Sequence, residues 1–383
     1  MVLPALPGYS ESFFYNKIKG LIEDGFRVSL FVARKVDPEA VRLSVPIHYQ
    51  VNVNNKLYLL FSFITTCVMN PLKCIGLFKL EMGSHGDWTR SLKNLIINIH
   101  IIGKPLDWLH FGFATTSLGR ENLALAMGIK AAVSLRGFDI GLYPHHHPDC
   151  YNLLWLKIDR VHTISDDLYQ KALDLGLDSK TPYQKITPAI NPVFFKSKSF
   201  KNLHDPLRIL TVGRLTWKKG YEYALKALSL LKDKQINFEY HIVGEGNYRE
   251  AIIYGTHQLR LAEHIKLKGA LSPEDVKKEM EWADIYIQPS IQEGFCNAVL
   301  EAQAMGLLCI VTDADGLSEN VLDGETGWVV WKRSPQFIFE RIKNIISLDL
   351  LSLNKIRMNA VNRVTREFNL RVQREGFIKF YKN

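Results

Sequence analysis

Short apolar strands alternate with helical segments along residues 208–330, and this pattern limits the possible folds more than any other feature of the chain. The candidate strands are rich in β-branched and aromatic residues. They are Arg208–Gly213, Phe238–Val243, Ile265–Leu267, Ile285–Gln288, Cys309–Thr312 and Gly327–Val330. Strands in this pattern pair in parallel under covering helices, so we predict a doubly wound α/β sheet with its ligand at the carboxyl ends of the strands.

The first half of the chain carries a second set of strand and helix signals. A short strand at Met1–Pro4, a helix from Ser10 or Glu11 to Asp24 and a strand at Arg27–Ala33 form a predicted βαβ unit. Later strands are predicted at Leu106–Gly112, Ala131–Leu135, Val161–Ile164 and Gln184–Thr187. We therefore expect a second sheet of the same class.

The length of 383 residues suits two domains of about 100–200 residues each. We predict a Rossmann-like domain at residues 1–192, a lysine-rich linker at 193–206 and a second Rossmann-like domain at 207–365. Residues 366–383 end a long helix, predicted from about Asn354 to Tyr381, and are expected to pack back on the first domain. Two domains of this class are expected to face each other across a cleft.

The composition is that of a folded protein, with 47% hydrophobic and 23% charged residues. Five scattered cysteines favour free thiols in a reducing cytoplasm over a disulfide framework. No signal-peptide pattern is visible at the N-terminus. The longest mostly apolar run, Leu57–Met69, has 13 residues, which is short of the roughly 20 needed to cross a bilayer. We expect a cytoplasmic location.

A net charge of +9 indicates an anionic partner, which charge alone does not identify. The region Lys56–Lys104 mixes apolar runs with lysines, a composition suited to peripheral contact with the anionic inner face of the cytoplasmic membrane. The alternative is a core helix flanked by ordinary surface lysines. Both interpretations remain open at this point.

Two cations follow the first strand of the second domain. Arg214 and Lys219 lie between the end of the strand at Gly213 and a predicted helix that begins at Gly220. Guanidinium and ammonium groups there can neutralise a diphosphate and stabilise it as a leaving group. The alternative is a solvated basic turn.

Two carboxylates, Glu293 and Glu301, follow the strand Ile285–Gln288. In a helix starting near Phe295 they lie on the order of 12 Å apart. This exceeds the roughly 5–9.5 Å of paired hydrolase carboxylates. It suits the two ends of a sugar nucleotide, with Glu293 on the sugar hydroxyls, Glu301 on the ribose and the helix N-terminus at Gly294–Cys296 facing the phosphates. Purely structural roles for both carboxylates are the alternative.

Together these residues resemble the family-4 retaining glycosyltransferases of the GT-B fold, in particular bacterial exopolysaccharide and colanic-acid-type transferases. The family pattern appears here as Gly213-Arg214-Leu215 with Lys219-Gly220, then Gly244-Glu245-Gly246, then EGFCNAVLEAQAMG at 293–306, and continues through 318–327. The resemblance covers essentially the whole second domain. It implies catalytic roles for Arg214, Lys219 and Glu293, and a donor site that contains Gly213, Gly244, Gly294, Phe295, Cys296, Asn297 and Glu301.

The first domain resembles the family more loosely. Gly8, Tyr9, Ser10 and Glu11 match an opening seen in many exopolysaccharide transferases, and with Asp139 they form the implied acceptor side of the cleft. Arg136, which the resemblance places among the catalytic residues, stands where the family usually has a histidine beside the donor sugar or diphosphate. A guanidinium stays charged and only donates, so we expect Arg136 to bind phosphate instead of acting as a base.

The resemblance implies transfer of a hexose from a nucleotide-diphosphate sugar to a glycan or polyprenyl-linked acceptor in cell-surface polysaccharide biosynthesis. Anomeric configuration would be retained, with the leaving phosphate acting as base and the protein contributing positioning and electrostatics. No metal or other cofactor is expected. Asp313-Ala314-Asp315 falls where the family usually has two glycines, and the adjacent His145, His146 and His147 lack the spacing of zinc ligands.

Two other functions compete with this interpretation. A nucleotide-sugar 2-epimerase uses similar domains but carries different acidic and histidine positions. A basic nucleic-acid-binding protein would account for the charge, but not for Glu293 and Glu301 beside Arg214 and Lys219, and we expect no nucleic-acid partner because no such motif is visible.

Overall fold

The computed structural model describes residues 1–7, 12–33, 45–51, 54–196, 199–200 and 202–382. The chain forms two compact units. Residues Met1–Ile186 and Arg374–Asn383 make up the first unit, and Thr187–Gln373 make up the second. The segment predicted as a linker therefore lies inside the second unit. Part of it is anchored there, since Phe195 is buried and His204 Nδ1 lies 2.7 Å from Asp284 Oδ1.

The described part of the first unit contains a seven-stranded parallel sheet in the order β3-β2-β1-β4-β5-β6-β7. The strands are β1 (Val2–Leu3), β2 (Leu30–Val32), β3 (Ile47–Tyr49), β4 (Trp108–Phe111), β5 (Lys130–Leu135), β6 (Arg160–Thr163) and β7 (Tyr183–Lys185). The strands predicted by β-branched and aromatic runs are confirmed with small shifts at their ends.

Helices and apolar side chains cover this sheet. The helices are α1 (Ser12–Glu23), α2 (Lys56–Met69), α3 (Pro71–His85), α4 (Trp88–Asn98), α5 (Leu123–Met127), α6 (Phe138–Gly141), α7 (Tyr143–His146), α8 (Asn152–Lys157) and α9 (Asp166–Asp174). Phe14 and Ile18 of α1 are buried with Leu3 and Leu30 of the sheet. This packing explains why α1 could be predicted from sequence, whereas β3 and the helices α2–α9 were not given bounds.

The second unit contains a six-stranded parallel sheet, within the described residues, in the order β10-β9-β8-β11-β12-β13. The strands are β8 (Leu207–Val212), β9 (Phe238–Val243), β10 (Ile265–Gly269), β11 (Ile285–Gln288), β12 (Leu308–Thr312) and β13 (Trp328–Val330). Its helices are α10 (Tyr221–Asp233), α11 (Arg249–Gln258), α12 (Pro273–Trp282), α13 (Asn297–Ala304), α14 (Pro335–Ser347) and α15 (Leu350–Glu367). The last helix, α16 (Leu370–Lys382), begins in the second unit and belongs to the first unit from Arg374 onward.

Both sheets confirm the doubly wound prediction, because each runs outward in both directions from its first strand. The strand order therefore reverses between β1 and β4 in the first unit and between β8 and β11 in the second. Ligands of open α/β sheets bind at the carboxyl ends of the strands at such a switch point. In the second unit this is where the predicted cations and carboxylates follow β8 and β11.

The prediction of a single long helix at the C-terminus is wrong, since α15 ends at Glu367 and α16 begins at Leu370. Phe368 is buried, with its ring centroid 5.7 Å from that of Phe295. The side chain of Asn369 accepts a hydrogen bond from Val372 N at 3.0 Å and so caps α16. Burial of Phe368 is a tertiary effect, which local sequence patterns do not report.

The core-helix interpretation of the apolar run at 57–69 is also wrong. None of the 14 residues of α2, all of which the structure describes, is buried. Among the described helices no single one is both long and apolar enough to span a bilayer, whereas α2 and α3 taken together are, with a bend of 106° between them. The second apolar run of the region Lys56–Lys104, at residues 95–102, does enter the core, since Leu95, Ile99, Ile101 and Ile102 are buried.

Candidate functional site

A buried tyrosine holds the start of the loop after β8 in place. Tyr221 at the start of α10 donates its hydroxyl to Gly213 O at 3.1 Å. A short 3-10 turn, Trp217–Lys219, then leads into the helix. Arg214 is exposed and Lys219 is buried, so the two predicted cations differ in their contact with solvent.

The loop after β11 docks on this turn. Ile291 N donates to Lys218 O at 2.8 Å. Gly220 has φ 65, and a Cβ there would lie 2.1 Å from Pro289 O. Only glycine combines that backbone conformation with so close an approach. The carboxyl ends of the neighbouring strands β8 and β11 are therefore joined through their loops.

Lys219 and Glu293, separated by 74 residues in sequence, form an ion pair. Burial lowers the pKa of Lys219, but the carboxylate of Glu293 more than offsets this and the net pKa is raised. The ammonium group is thus charged at neutral pH. The structure brings together two predicted residues whose proximity the sequence did not specify.

The start of α13 is fixed by Asn320, which sequence reasoning did not single out as a site residue. Asn320 Oδ1 accepts from Cys296 N at 3.1 Å, and Asn320 Nδ2 donates to Cys296 O at 2.9 Å. The signal for it was its place in the Ser318-Glu319-Asn320-Val321 match. Burial raises the pKa of the Cys296 thiol to about 11, so the thiol stays neutral.

The N-terminus of α13 directly follows the loop that carries Glu293. The helix begins at Asn297, and no side-chain hydrogen bond caps it among the described residues. Gly294 and Phe295 are buried just before it. Uncapped N–H groups and the helix dipole favour an anion at this position.

Glu301 is a partly buried carboxylate in the second half of α13. Burial raises its pKa to about 8. No hydrogen bond or ion pair of this carboxylate is found within the described part of the chain. Burying a carboxyl without a partner is costly, and such groups are typical of binding sites that await a ligand.

Gly244 lets the loops after β8 and β9 approach each other. It has φ 139, and a Cβ there would lie 2.0 Å from Gly213 O. Beside it, Leu215 N donates to Glu245 O at 2.8 Å. The Gly-x-Gly motif thus has a backbone role next to the basic turn.

In the first unit, Arg136 and Asp139 occupy the turn after β5. The Arg136 guanidinium lies 3.8 Å from the ring centroid of Phe13, and its Nε donates to Gly112 O at 3.3 Å. Asp139 is fully buried and accepts from three backbone N–H groups, those of Ala114, Arg136 and Gly137. Burial raises the pKa of Asp139 in spite of these bonds.

The Asp139 carboxylate therefore holds the backbone of the turn in place, and among the described residues none of its surface is exposed to an acceptor. The other residues predicted on the acceptor side, Gly8, Tyr9, Ser10 and Glu11, lie outside the described residues. In the segment Asp313-Ala314-Asp315, for which no metal was expected, Asp313 Oδ1 accepts a hydrogen bond from Lys332 N at 2.6 Å.

Comparison with known proteins decides the family of the second unit. Residues 194–363 match the model of the family "Glycosyl transferases group 1". This part of the chain is a glycosyl transferase group 1 domain. The domain contains every predicted donor-site residue described above, from Gly213 to Glu301.

The group 1 domain has relatives in polysaccharide biosynthesis. The putative colanic acid biosynthesis glycosyltransferase WcaL of Salmonella typhimurium is 29% identical over 68% of this chain and 66% of its own length. The amylovoran biosynthesis glycosyltransferase AmsK of Erwinia amylovora is 27% identical over 84% of each chain. The match to WcaL thus spans just under two thirds of that relative.

Comparison with solved structures confirms that the chain, including its group 1 domain, has the GT-B fold. A glycosyltransferase from Rickettsia africae superposes with a TM-score of 0.74 at 20% identity, over 100% of this chain and 96% of the other. Anabaena HepE, solved in complex with UDP, superposes with a TM-score of 0.73 at 15% identity, over 99% and 97% of the two chains. At these identities the likeness shows the fold alone.

Proposed function

We propose that this chain transfers a hexose from a nucleotide-diphosphate sugar to a glycan or polyprenyl-linked acceptor in cell-surface polysaccharide biosynthesis. The observation that carries the proposal is the set of charges at the switch point of the group 1 domain. A buried, charged Lys219 is paired with Glu293 beside exposed Arg214. The carboxylate of Glu301 in α13 has no partner among the described residues. The names of the relatives WcaL and AmsK support the polysaccharide assignment.

Each charge has a part in the proposed donor complex. Arg214 and Lys219 neutralise the diphosphate, together with the uncapped N-terminus of α13. Glu301 accepts hydrogen bonds from the ribose hydroxyls, and Glu293 accepts from hydroxyls of the sugar. HepE was solved with UDP and with UDP-glucose, which supports a donor of this chemical class on the same fold.

The proposed reaction retains the anomeric configuration. The acceptor hydroxyl oxygen forms a bond to the anomeric carbon on the face that the diphosphate leaves, while the bond from that carbon to the phosphate oxygen breaks. The hydroxyl proton passes to the departing phosphate oxygen. The contribution of Arg214 and Lys219 is to stabilise the negative charge that develops on the nucleoside diphosphate.

Two single variants test this site. We expect Lys219→Ala and Glu293→Ala each to lower the transfer rate by about 10²-fold or more, because each removes an electrostatic contact made in the transition state. The measurement is sugar transfer from labelled nucleotide sugars to extracted lipid-linked or oligosaccharide acceptors, with the anomeric configuration of the product read by NMR.

Exposed residues of the same unit provide matched controls. Lys226→Ala and Glu263→Ala remove the same groups from the surface of the second unit and should leave turnover unchanged. Near-normal turnover in either site variant, with thermal stability intact, would rule out the proposed site. Inversion at the anomeric carbon would rule out the proposed stereochemistry.

A further inference from the structure

Helix α2 displays apolar side chains to solvent along its whole length. Leu57, Phe61, Val68 and Met69 are 83%, 68%, 73% and 75% exposed. A helix that is apolar on most of its surface is normally buried in a core or in lipid. Exposed patches of this kind mark interaction sites in proteins that are otherwise well packed.

Helix α3 fastens this surface to the first unit. Cys74, Leu77 and Glu81 form its buried face. The buried Glu81 carboxylate accepts from Asn94 Nδ2 at 2.6 Å and from Asn122 Nδ2 at 3.0 Å. The patch is thus mounted on an anchored helix.

The exposed face of α3 continues the apolar surface. Leu72 and Ile75 are 85% and 54% exposed. The two helices meet at a bend of 106° around Asn70. We call the surface formed by Leu57, Phe61, Val68, Met69, Leu72 and Ile75 the docking patch.

The charges around the docking patch have one sign. Lys56 and Lys79 are exposed and Lys73 is half-buried on the same two helices. Glu81 is the only acidic residue in positions 56–85, and it is buried. Cations around an apolar surface complement anionic headgroups over an acyl interior. A second copy of this chain would instead bring these lysines together.

We propose that the docking patch binds the surface of an anionic lipid bilayer, with its apolar side chains between the acyl chains and its three lysines at the headgroups. The contact is peripheral, made by the bent pair α2 and α3. It is independent of the donor site, since none of the residues involved belongs to the group 1 domain.

Vesicle flotation with the full chain, without donor or acceptor, tests the proposal. We expect binding to mixed phosphatidylcholine and phosphatidylglycerol vesicles at low salt, weaker binding at high salt and little binding to pure phosphatidylcholine. Lack of binding to the anionic vesicles at low salt would overturn the proposal. So would a concentration-dependent dimer by light scattering that is abolished by the patch substitutions.

Variants separate the apolar and ionic parts of the contact. The double variant Leu57→Ser/Phe61→Ser should lower the vesicle partition coefficient about tenfold or more, and Lys56→Gln/Lys73→Gln/Lys79→Gln should lower it and flatten its salt dependence. The control Leu351→Ser removes a leucine that is 82% exposed in α15 and should bind as the parent does. Equal loss in the control, or unchanged binding of the Leu57→Ser/Phe61→Ser variant, would contradict the proposal. All variants should keep the parental melting temperature and the parental affinity for whichever of UDP, GDP and ADP the parent binds, which separates this test from that of the transfer function.

Discussion

Glu301 illustrates how a ligand-binding residue can weaken the protein that carries it. Its ordinary pKa is near 4.5, and burial raises it to about 8 in the folded chain. Between these values the unfolded chain has released the proton and the folded chain still holds it. Stability is therefore lost as pH rises from about 4.5 to 8. The cost makes sense if a donor ribose occupies the carboxylate during function.

The first prediction follows from this loss of stability with rising pH. Glu301→Gln should stabilise the free protein at pH 9 by on the order of 2 kcal/mol and much less at pH 6, because glutamine has no charge to desolvate. Thermal melting of the full chain at both pH values measures this. The control Glu263→Gln alters an exposed residue and should show no such pH-dependent gain. A gain of the same size at both pH values would refute the proposed origin.

Individual site residues were only partly accessible to sequence reasoning. Lys219 and Glu293 were predicted as site residues, but their direct pairing depends on the adjacency of β8 and β11. Asn320 was missed because an amide that positions a backbone resembles any surface amide in a sequence. Arg136 was expected to bind phosphate, and its stacking on Phe13 has no local sequence signal.

At the scale of elements, α1 is joined to the first sheet by a buried polar chain. Lys17 Nζ lies 3.1 Å from His110 Nε2, which lies 2.7 Å from Ser134 Oγ. Ser134 Oγ in turn lies 2.7 Å from His162 Nδ1. Burial, and then the charge of Arg136, lower the pKa of Lys17 well below its ordinary value. Burial, and then Lys17, lower the pKa of both histidines.

Lys17 should make the first unit sensitive to acid. Between its lowered folded pKa and its ordinary value of 10.5, the unfolded chain binds the extra proton, so stability falls as pH falls. The stability of Lys17→Met relative to the parent should therefore rise as pH is lowered below 10. The change is about 1.4 kcal/mol for each pH unit inside that window. The lost hydrogen bond to His110 acts equally at every pH.

Chemical denaturation at several pH values measures this trend. Lys19→Met, an exposed lysine of the same helix, is the matched control and should run parallel to the parent. A Lys17→Met curve that also runs parallel to the parent would show that Lys17 has an ordinary pKa in the folded chain.

The elements themselves were predicted most accurately where strands are buried on both faces. Phe238–Val243 and Ile285–Gln288 have the predicted bounds, because apolar runs between loop residues specify them locally. The break at Phe368 and the exposure of α2 were not predictable in this way. Both depend on what packs against an apolar side chain, and the sequence shows only that the side chain is apolar.

At the scale of the whole molecule, the first six strands of each unit follow the same order. Among the described residues, the charge pattern of a donor site is found in the second unit and not in the first. There, strands β8 and β11 flank the switch point and their loops carry Arg214, Lys219 and Glu293. The class of fold could be predicted because two runs of alternating strands and helices admit few topologies. The division between the units could not, since the second unit begins at Thr187, and Phe195 and His204 of the segment that resembles a linker are anchored in it.

Isothermal titration calorimetry, with UDP, GDP and ADP each titrated into the full chain, tests the donor site most directly. We predict saturable binding of at least one of these nucleotides with one site per chain. That affinity should fall about tenfold or more in Arg214→Ala, which loses a charged contact to phosphate, and stay unchanged in Lys226→Ala. Failure of all three nucleotides to bind, or equal affinity in the parent and Arg214→Ala, would contradict the placement of a nucleotide-diphosphate sugar at the switch point of the second unit.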